Sequence, residues 1–267
     1  TWTSIIGDLA APHVAYVLAE DHVKADLLFL GTEFGVYFTP NGGEKWIKLK
    51  GGLPTISVRD IAIHEGENDL VLGTFGRGIY VLDDYTPLRM ADEEWLGEKS
   101  CVFPIKPALR YIETSRGRGS QGASFYSASN PPFGAVFTYY VGEKITTRRE
   151  RRKEAEKEVK KAGETPPYPT IDELRAEDEE REPSLWLLVR DEAGEVVRRV
   201  KGSRGKGIHR ATWNLRYPAS TPTTPRASGD GPSGPLALPG AYTITLAKEV
   251  DGVITEMTEP EAFDVVP

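Results

Sequence analysis

Short apolar runs separated by glycine turns fill the first 85 residues, and their spacing predicts strands. Val14–Ala19 and Ile61–His64 form one matched pair, Asp26–Gly31 and Asp69–Gly73 a second, and Gly35–Phe38 and Gly78–Leu82 a third. Trp46–Lys50 adds an outer strand. In the second half the runs Gly134–Val141, Ser184–Arg190, Glu195–Val200, His209–Tyr217, Gly240–Lys248, Val253–Thr258 and Glu261–Val265 read the same way. Tyr242-Thr-Ile-Thr-Leu246 alternates cleanly, which puts Tyr242, Ile244 and Leu246 on one face and Thr243 and Thr245 on the other. Asp191-Glu-Ala-Gly194 marks a hairpin turn. Trp186 and Trp213 are expected in the core, with a sugar-stacking platform as the sharper alternative.

The first half repeats itself. Trp2–Leu9 matches Trp46–Leu53 at an offset of 44, Asp26–Thr32 matches Asn68–Thr74 at 42, and Gly35–Phe38 matches Gly78–Val81 at 43. Four short strands in 42–44 residues is the length of one propeller blade. About two such blades are present, whereas propellers close with roughly four to eight. Further blades from the same polypeptide are therefore the expected partners of residues 1–85.

Between the third and fourth strands lies Thr39-Pro-Asn41-Gly-Gly43-Glu-Lys-Trp46. It resembles the Asp-box, or BNR repeat, of pattern Ser/Thr-x-Asp/Asn-x-Gly-x-x-Trp. Asn41 can bond turn amides, Gly43 can take a positive φ and Trp46 can pack beneath the turn. Trp2 reads as the last residue of a preceding box, and Val81-Leu-Asp-Asp-Tyr85 as a degenerate one. Leu72–Arg89 resembles the exit from the propeller in bacterial BNR-repeat proteins, which are similar to the VPS10/sortilin propeller and are labelled glycosyl-hydrolase-like. In that group a β-sandwich follows, and Asn130–Val141, Gly207–Pro218 and Leu238–Leu246 match it. The fold class expected is mainly β: the last blades of a β-propeller (1–85), a connector (86–122), and an immunoglobulin- or fibronectin-III-like sandwich (123–267). Within the connector, Thr86–Leu96 is expected as a short helix and the glycine-rich 115–122 as a loop.

A charged insertion at 147–182 interrupts the sandwich. Thr147–Ala162 holds eight Lys/Arg and four Glu (8 − 4 = +4), and 164–182 two Arg and eight acids (2 − 8 = −6). Thr170-Ile-Asp-Glu173 is a capping box, so an antiparallel helical hairpin with attracting arms is expected. Arg148, Arg152, Lys160, Glu173 and Glu177 are its candidate interaction residues, against the plainer reading of a solvated projection.

Composition narrows the chemistry. The 267 residues carry 33 Lys+Arg against 40 Asp+Glu, a net −7, which argues against a nucleic-acid partner. The lone Cys101 excludes an internal disulfide and a Cys-rich metal site. His13, His22, His64 and His209 lack ligand spacing, and no apolar run is long enough for a membrane helix. Gly73–Gly78 is glycine-rich, yet a strand follows it, so it offers no helix N-terminus to phosphate. Asp230, alone in the loop 221–235, makes no calcium loop. No metal or cofactor is expected. Glycoside hydrolysis would need two carboxylates across a cleft. Asp60 and Glu33 are the only candidates, and a turn or inter-blade bond is the favoured reading of both, so no catalytic residue is expected.

Three functions follow from the resemblance. The first is a non-catalytic binding or scaffolding protein of the cell envelope, with a protein or glycan as partner. The second is a glycoside hydrolase whose site lies in other blades. The third is an accessory subunit of a larger complex. The resemblance implies a secreted, periplasmic or cell-surface location.

Overall fold

A computed structural model describes residues 3–9, 14–90, 99–112, 130–220 and 233–267, and the chain divides into two units, Thr1–Gly97 and Glu98–Pro267. Strand is the main element in both.

The first unit holds two antiparallel meanders. Strands β1 (Ala15–Glu20), β2 (Leu28–Thr32), β3 (Gly35–Thr39) and β4 (Ile47–Lys48) pair in chain order, as do β5 (Val58–His64), β6 (Asp69–Thr74) and β7 (Ile79–Leu82). One core lies between the two sheets: Leu27, Phe29, Val36 and Phe38 from the first meet Val58, Ile61, Leu70 and Leu72 from the second. Each such side chain contributes about 1.5–3 kcal/mol on burial. The sheets approach so closely at Gly31 that a β-carbon there would lie 2.6 Å from Val17 Cγ1 and 2.9 Å from the Val58 carbonyl. Only glycine fits. A 3₁₀ turn, Thr86–Met90, follows β7. It lies at the start of the helix expected through Leu96, and 91–98 lie outside the described residues.

The sheets stack in one sense, and the repeat makes this visible. Val17, Phe29, Val36 and Phe38 line the inner side of the first sheet. Their repeat equivalents, Asp60, Val71, Ile79 and Val81, lie on the outer side of the second. Conversely, Ile61, Leu70, Leu72 and Tyr80 pack inward from the second sheet. Their equivalents Leu18, Leu28, Leu30 and Tyr37 lie on the outer side of the first. There Leu28 and Leu30 form a separate cluster with Trp46, against which Leu9 packs. Leu9 thus does on that face what its equivalent Leu53 does between the sheets.

The second unit holds two main sheets with a core between them and a two-stranded ribbon. Its strands are β8 (Cys101–Val102), β9 (Ala108–Leu109), β10 (Ala135–Val141), β11 (Ser184–Arg190), β12 (Val196–Gly202), β13 (Gly207–Trp213), β14 (Arg216–Pro218), β15 (Ser233–Leu236), β16 (Gly240–Val250), β17 (Val253–Glu256) and β18 (Glu261–Val266). Strands β14 and β15 pair as the ribbon. One main sheet runs β13-β10-β8, the other β12-β11-β16-β18-β9, with β17 on β16. Phe137, Tyr139, Leu185, Leu187, Val189, Trp213, Tyr242, Ile244, Leu246 and Phe263 fill the core between them. Trp186 corrects the expectation that both tryptophans are internal. It follows the alternation of β11 to the side opposite Leu185 and Leu187, half-buried, with Nε1 donating to Glu249 Oε2 at 2.6 Å. Strands β8 and β9 fall inside the stretch expected as a connector and pair into the sheets of this unit.

Two helices join β10 to β11: α1 (Arg148–Lys161) and α2 (Ile171–Glu179), each opened by a threonine capping box, Thr147 with Glu150 and Thr170 with Glu173. Ion pairs Arg148–Glu180, Arg149–Asp178 and Arg152–Glu177 run in opposite chain directions, so the helices are antiparallel. Neither helix buries a residue, and Arg204 bridges Glu150 and Glu182 to hold the base of the hairpin.

Candidate functional site

The first strand of each meander carries a one-residue bulge. In β1, Ala15 pairs Thr32 and Val17 pairs Gly31, leaving Tyr16 extra; in β5, Val58 pairs Thr74 and Asp60 pairs Gly73, leaving Arg59 extra. Tyr16 and Arg59 are equivalent across the repeat, at an offset of 43. Bulges release a side chain from the pleat and aim it away from its neighbours. Here the Arg59 guanidinium carbon stands 3.8 Å from the centroid of the Tyr16 ring and 5.4 Å from that of Phe75. Phe75 belongs to the β6–β7 turn, where its amide donates to the Ser57 carbonyl at 2.9 Å, and its ring is 70% exposed. Tyr16 is 36% exposed. Among the described residues Arg59 makes no hydrogen bond or ion pair, so its N–H edge is open to a ligand.

The two candidate carboxylates lie on different elements at this strand end. Glu33, in the β2–β3 turn, accepts the Val14 amide at Oε1 (3.3 Å). Asp60, on the outer side of the second sheet, accepts the Ile61 amide at Oδ1 (3.0 Å). Both therefore have a local backbone partner, and both remain acceptors for a bound group.

The turn expected between the third and fourth strands is built on Thr39 and Asn41. Thr39 Oγ1 accepts from the Gly43 amide at 2.9 Å and donates to Asn41 Oδ1 at 2.9 Å, and Asn41 Oδ1 accepts from Lys45 N at 3.1 Å. Gly43 has φ +99°, and a β-carbon there would meet the Ile5 carbonyl at 2.6 Å. Trp46 is buried beneath, its Nε1 donating to the Ile5 carbonyl at 2.9 Å and its amide to Asp8 Oδ1 at 2.7 Å. Trp2 lies outside the described residues.

A buried polar cluster, absent from the sequence-based expectations, closes the first unit. Asp21, at the end of β1, takes a two-pronged bond from Arg89, with Nε to Oδ2 and Nη2 to Oδ1 both at 2.8 Å. The Tyr85 hydroxyl donates to Oδ1 at 2.5 Å, and the Lys24 amide to Oδ2 at 2.8 Å. Arg89 also donates to Asn68 Oδ1 at 2.7 Å. Burial works to raise the Asp21 pKa, but the Arg89 fork, the Tyr85 hydroxyl and the Lys24 amide outweigh it and hold the carboxyl far below the usual range. Burial and the Asp21 charge push the Tyr85 phenol up. Both carboxylate oxygens of Asp21 are thus engaged, and the cluster fastens Tyr85 and the Thr86–Met90 turn to the end of β1. Its one legible signal is an acidic residue directly after an apolar strand, in Leu18-Ala-Glu-Asp21.

Of the hairpin residues, Arg152 and Glu177 are spent on inter-helix bonds, Arg148 on Asp251 in the β16–β17 turn and on Glu180, and Glu173 on its cap. Lys160 is exposed and faces solvent in the last turn of α1. Among the described residues no group of His, Cys, Asp and Glu is placed to hold a metal, and no helix is long and apolar enough to cross a membrane. No known protein family matches the chain, and no curated protein does.

Proposed function

We propose that this chain is a non-catalytic binding or scaffolding protein of the cell envelope, and that its first unit is the closing part of a BNR-repeat propeller. One observation carries the reading: the first unit's sheets stack head to tail, so the outer side of the second sheet repeats the surface that the first sheet buries between them. Ile79 and Val81 are exposed there, while on the outer side of the first sheet Leu28 and Leu30 are covered by Trp46 and Leu9, and Leu18 is exposed. A head-to-tail contact of this kind accepts a further copy at each end and ends either in a closed ring or in an open filament. Ile79 and Val81, 72% and 53% exposed, would then be covered by the next sheet. The second unit, on this reading, is the immunoglobulin-like sandwich that follows the propeller in the group the sequence resembles. The partner is a protein or glycan met outside the cytoplasm. On this reading Asp60 and Glu33 serve local backbone bonds, to the Ile61 and Val14 amides, and have no catalytic role.

Intact mass with peptide mapping of the protein isolated from its source tests the reading. The expected result is a longer parent chain with additional Ser/Thr-x-Asp/Asn-x-Gly-x-x-Trp turns. A mature protein confined to these 267 residues and monomeric in solution would overturn it.

A further inference from the structure

We propose that the loop between the two helices is a docking segment for a partner protein, taken up in a groove lined by aromatic side chains with basic residues at its rim. The segment belongs to the second unit, so it goes beyond the propeller reading and does not depend on it. Glu164-Thr-Pro-Pro-Tyr-Pro-Thr170 joins α1 to α2. Gly163, at φ +80°, already ends α1, its amide donating to the Lys160 carbonyl and the Glu164 amide to that of Val159. The three prolines that follow are therefore not needed to stop the helix.

They set the form of the loop instead. Each proline holds its own φ at about −65°, and Thr165, Pro166 and Tyr168, each standing before a proline, are kept extended. Thr170 carries the form into the cap of α2 at φ −69°, ψ 159°. Polyproline II has three residues to the turn, so Pro166 and Pro169 share one edge and Tyr168 stands on another. Tyr168 is 88% exposed and Ile171 76%. Among the described residues the Tyr168 hydroxyl makes no hydrogen bond. Helix α1 adds no buried side chain to the core, and its 14 residues set the loop ~20 Å from Arg148. A segment already in its docking form gives up little conformational freedom, and aromatic-lined grooves take prolines at this Pro-x-x-Pro spacing. Residues 164–173 carry three acids, Glu164, Asp172 and Glu173, and no Lys or Arg, which fits a basic rim. The same charges are repelled by an anionic lipid surface.

Photo-cross-linking of the full chain in its source cells tests the site, with Tyr168→p-benzoylphenylalanine as the probe and Arg151→p-benzoylphenylalanine, at an exposed position of α1, as the control. The expected result is one protein joined at position 168 and not at 151, the bond mapping to a cleft of Trp, Tyr or Phe with Lys or Arg beside it. Against that purified partner, Pro166→Ala/Pro169→Ala and Tyr168→Ala should each weaken binding about tenfold. Tyr168→Ala, at so exposed a ring, should keep the thermal midpoint, which guards against misfolding of the proline variant. A synthetic peptide of residues 163–172 should compete, and its counterpart with both prolines replaced by alanine should not. No product at 168, the same product at both positions, a bond to lipid, glycan or a second copy of this chain, a surface without aromatic residues, or unchanged binding by the variants would each overturn the proposal. Sedimentation keeps the two readings apart, because Tyr168→Ala should associate as the parent chain does.

Discussion

Two ways of covering a sheet sit side by side in one chain. In the second unit two sheets turn their apolar faces on each other, and Phe137, Trp213, Ile244 and Phe263 are shared between them. Some outward side chains there are paired, as Arg190 is to Glu256 and Trp186 to Glu249. In the first unit the sheets face the same way, so each interior face has an exterior twin. The lesson is that burial alone does not complete a fold. Two sheets packed face to face satisfy both, whereas two packed head to tail leave an outer face to cover: Leu9 and Trp46 cover Leu28 and Leu30 on the first sheet, and Ile79 and Val81 stay exposed on the second.

The largest test of that contrast is within the first unit. Phe29→Ala, between the sheets, should destabilise by about 3–5 kcal/mol, read as a fall in denaturant midpoint. Its repeat equivalent Val71, on the outer side of the second sheet, should tolerate Val71→Ala at well under half that cost. Equal losses would mean that the outer face is already covered.

The Asp21 cluster comes next. Asp21→Ala leaves Arg89 and the Tyr85 hydroxyl without their acceptor, and breaking a buried pair costs about 3–5 kcal/mol at most. Asp21→Asn should be milder because Tyr85 and the Lys24 amide keep a partner. The pH dependence has a definite sign. With its folded pKa depressed, Asp21 contributes its full stability above the ordinary carboxylate range and loses it as pH falls toward the folded value. The wild type should therefore weaken between about pH 4 and pH 2 more steeply than Asp21→Asn. Parallel acid profiles would assign the transition to other carboxylates.

Smaller effects separate the turn and the hairpin. Asn41→Ala removes a cap on the Lys45 amide and should cost about 0.5–1.5 kcal/mol. Arg152→Ala should loosen the exposed helices, read as lost helical circular dichroism, with high salt giving part of the same loss in the wild type. Cys101 gives the smallest signal. Burial pushes its thiol up to about 11, so alkylation at neutral pH should be slow in the native protein and fast after unfolding.

Much of this architecture was legible because the chain repeats. The offsets of 42–44 placed the strands of both meanders, and the Thr39–Trp46 segment announced its own hairpin through Asn41 and Gly43. The helical hairpin was legible from opposed charge and from Thr170 and Glu173. Other features depend on long-range pairing. Arg59 reads as an ordinary strand residue until the register of Val58 and Asp60 exposes the bulge. Asp21 meets Arg89 across 68 residues. Trp186 was misplaced because hydrophobicity favours the interior, while strand parity and the Glu249 bond put it outside. Strands β8 and β9, two residues each, are too short for any periodic pattern to reveal.

Sedimentation velocity of the recombinant 267-residue chain over a wide concentration range, beside Ile79→Glu/Val81→Glu, tests the head-to-tail account most directly. The account predicts concentration-dependent association beyond the 29.4 kDa monomer, abolished by the double variant at unchanged thermal midpoint. A wild type that stays monomeric at every concentration would contradict it.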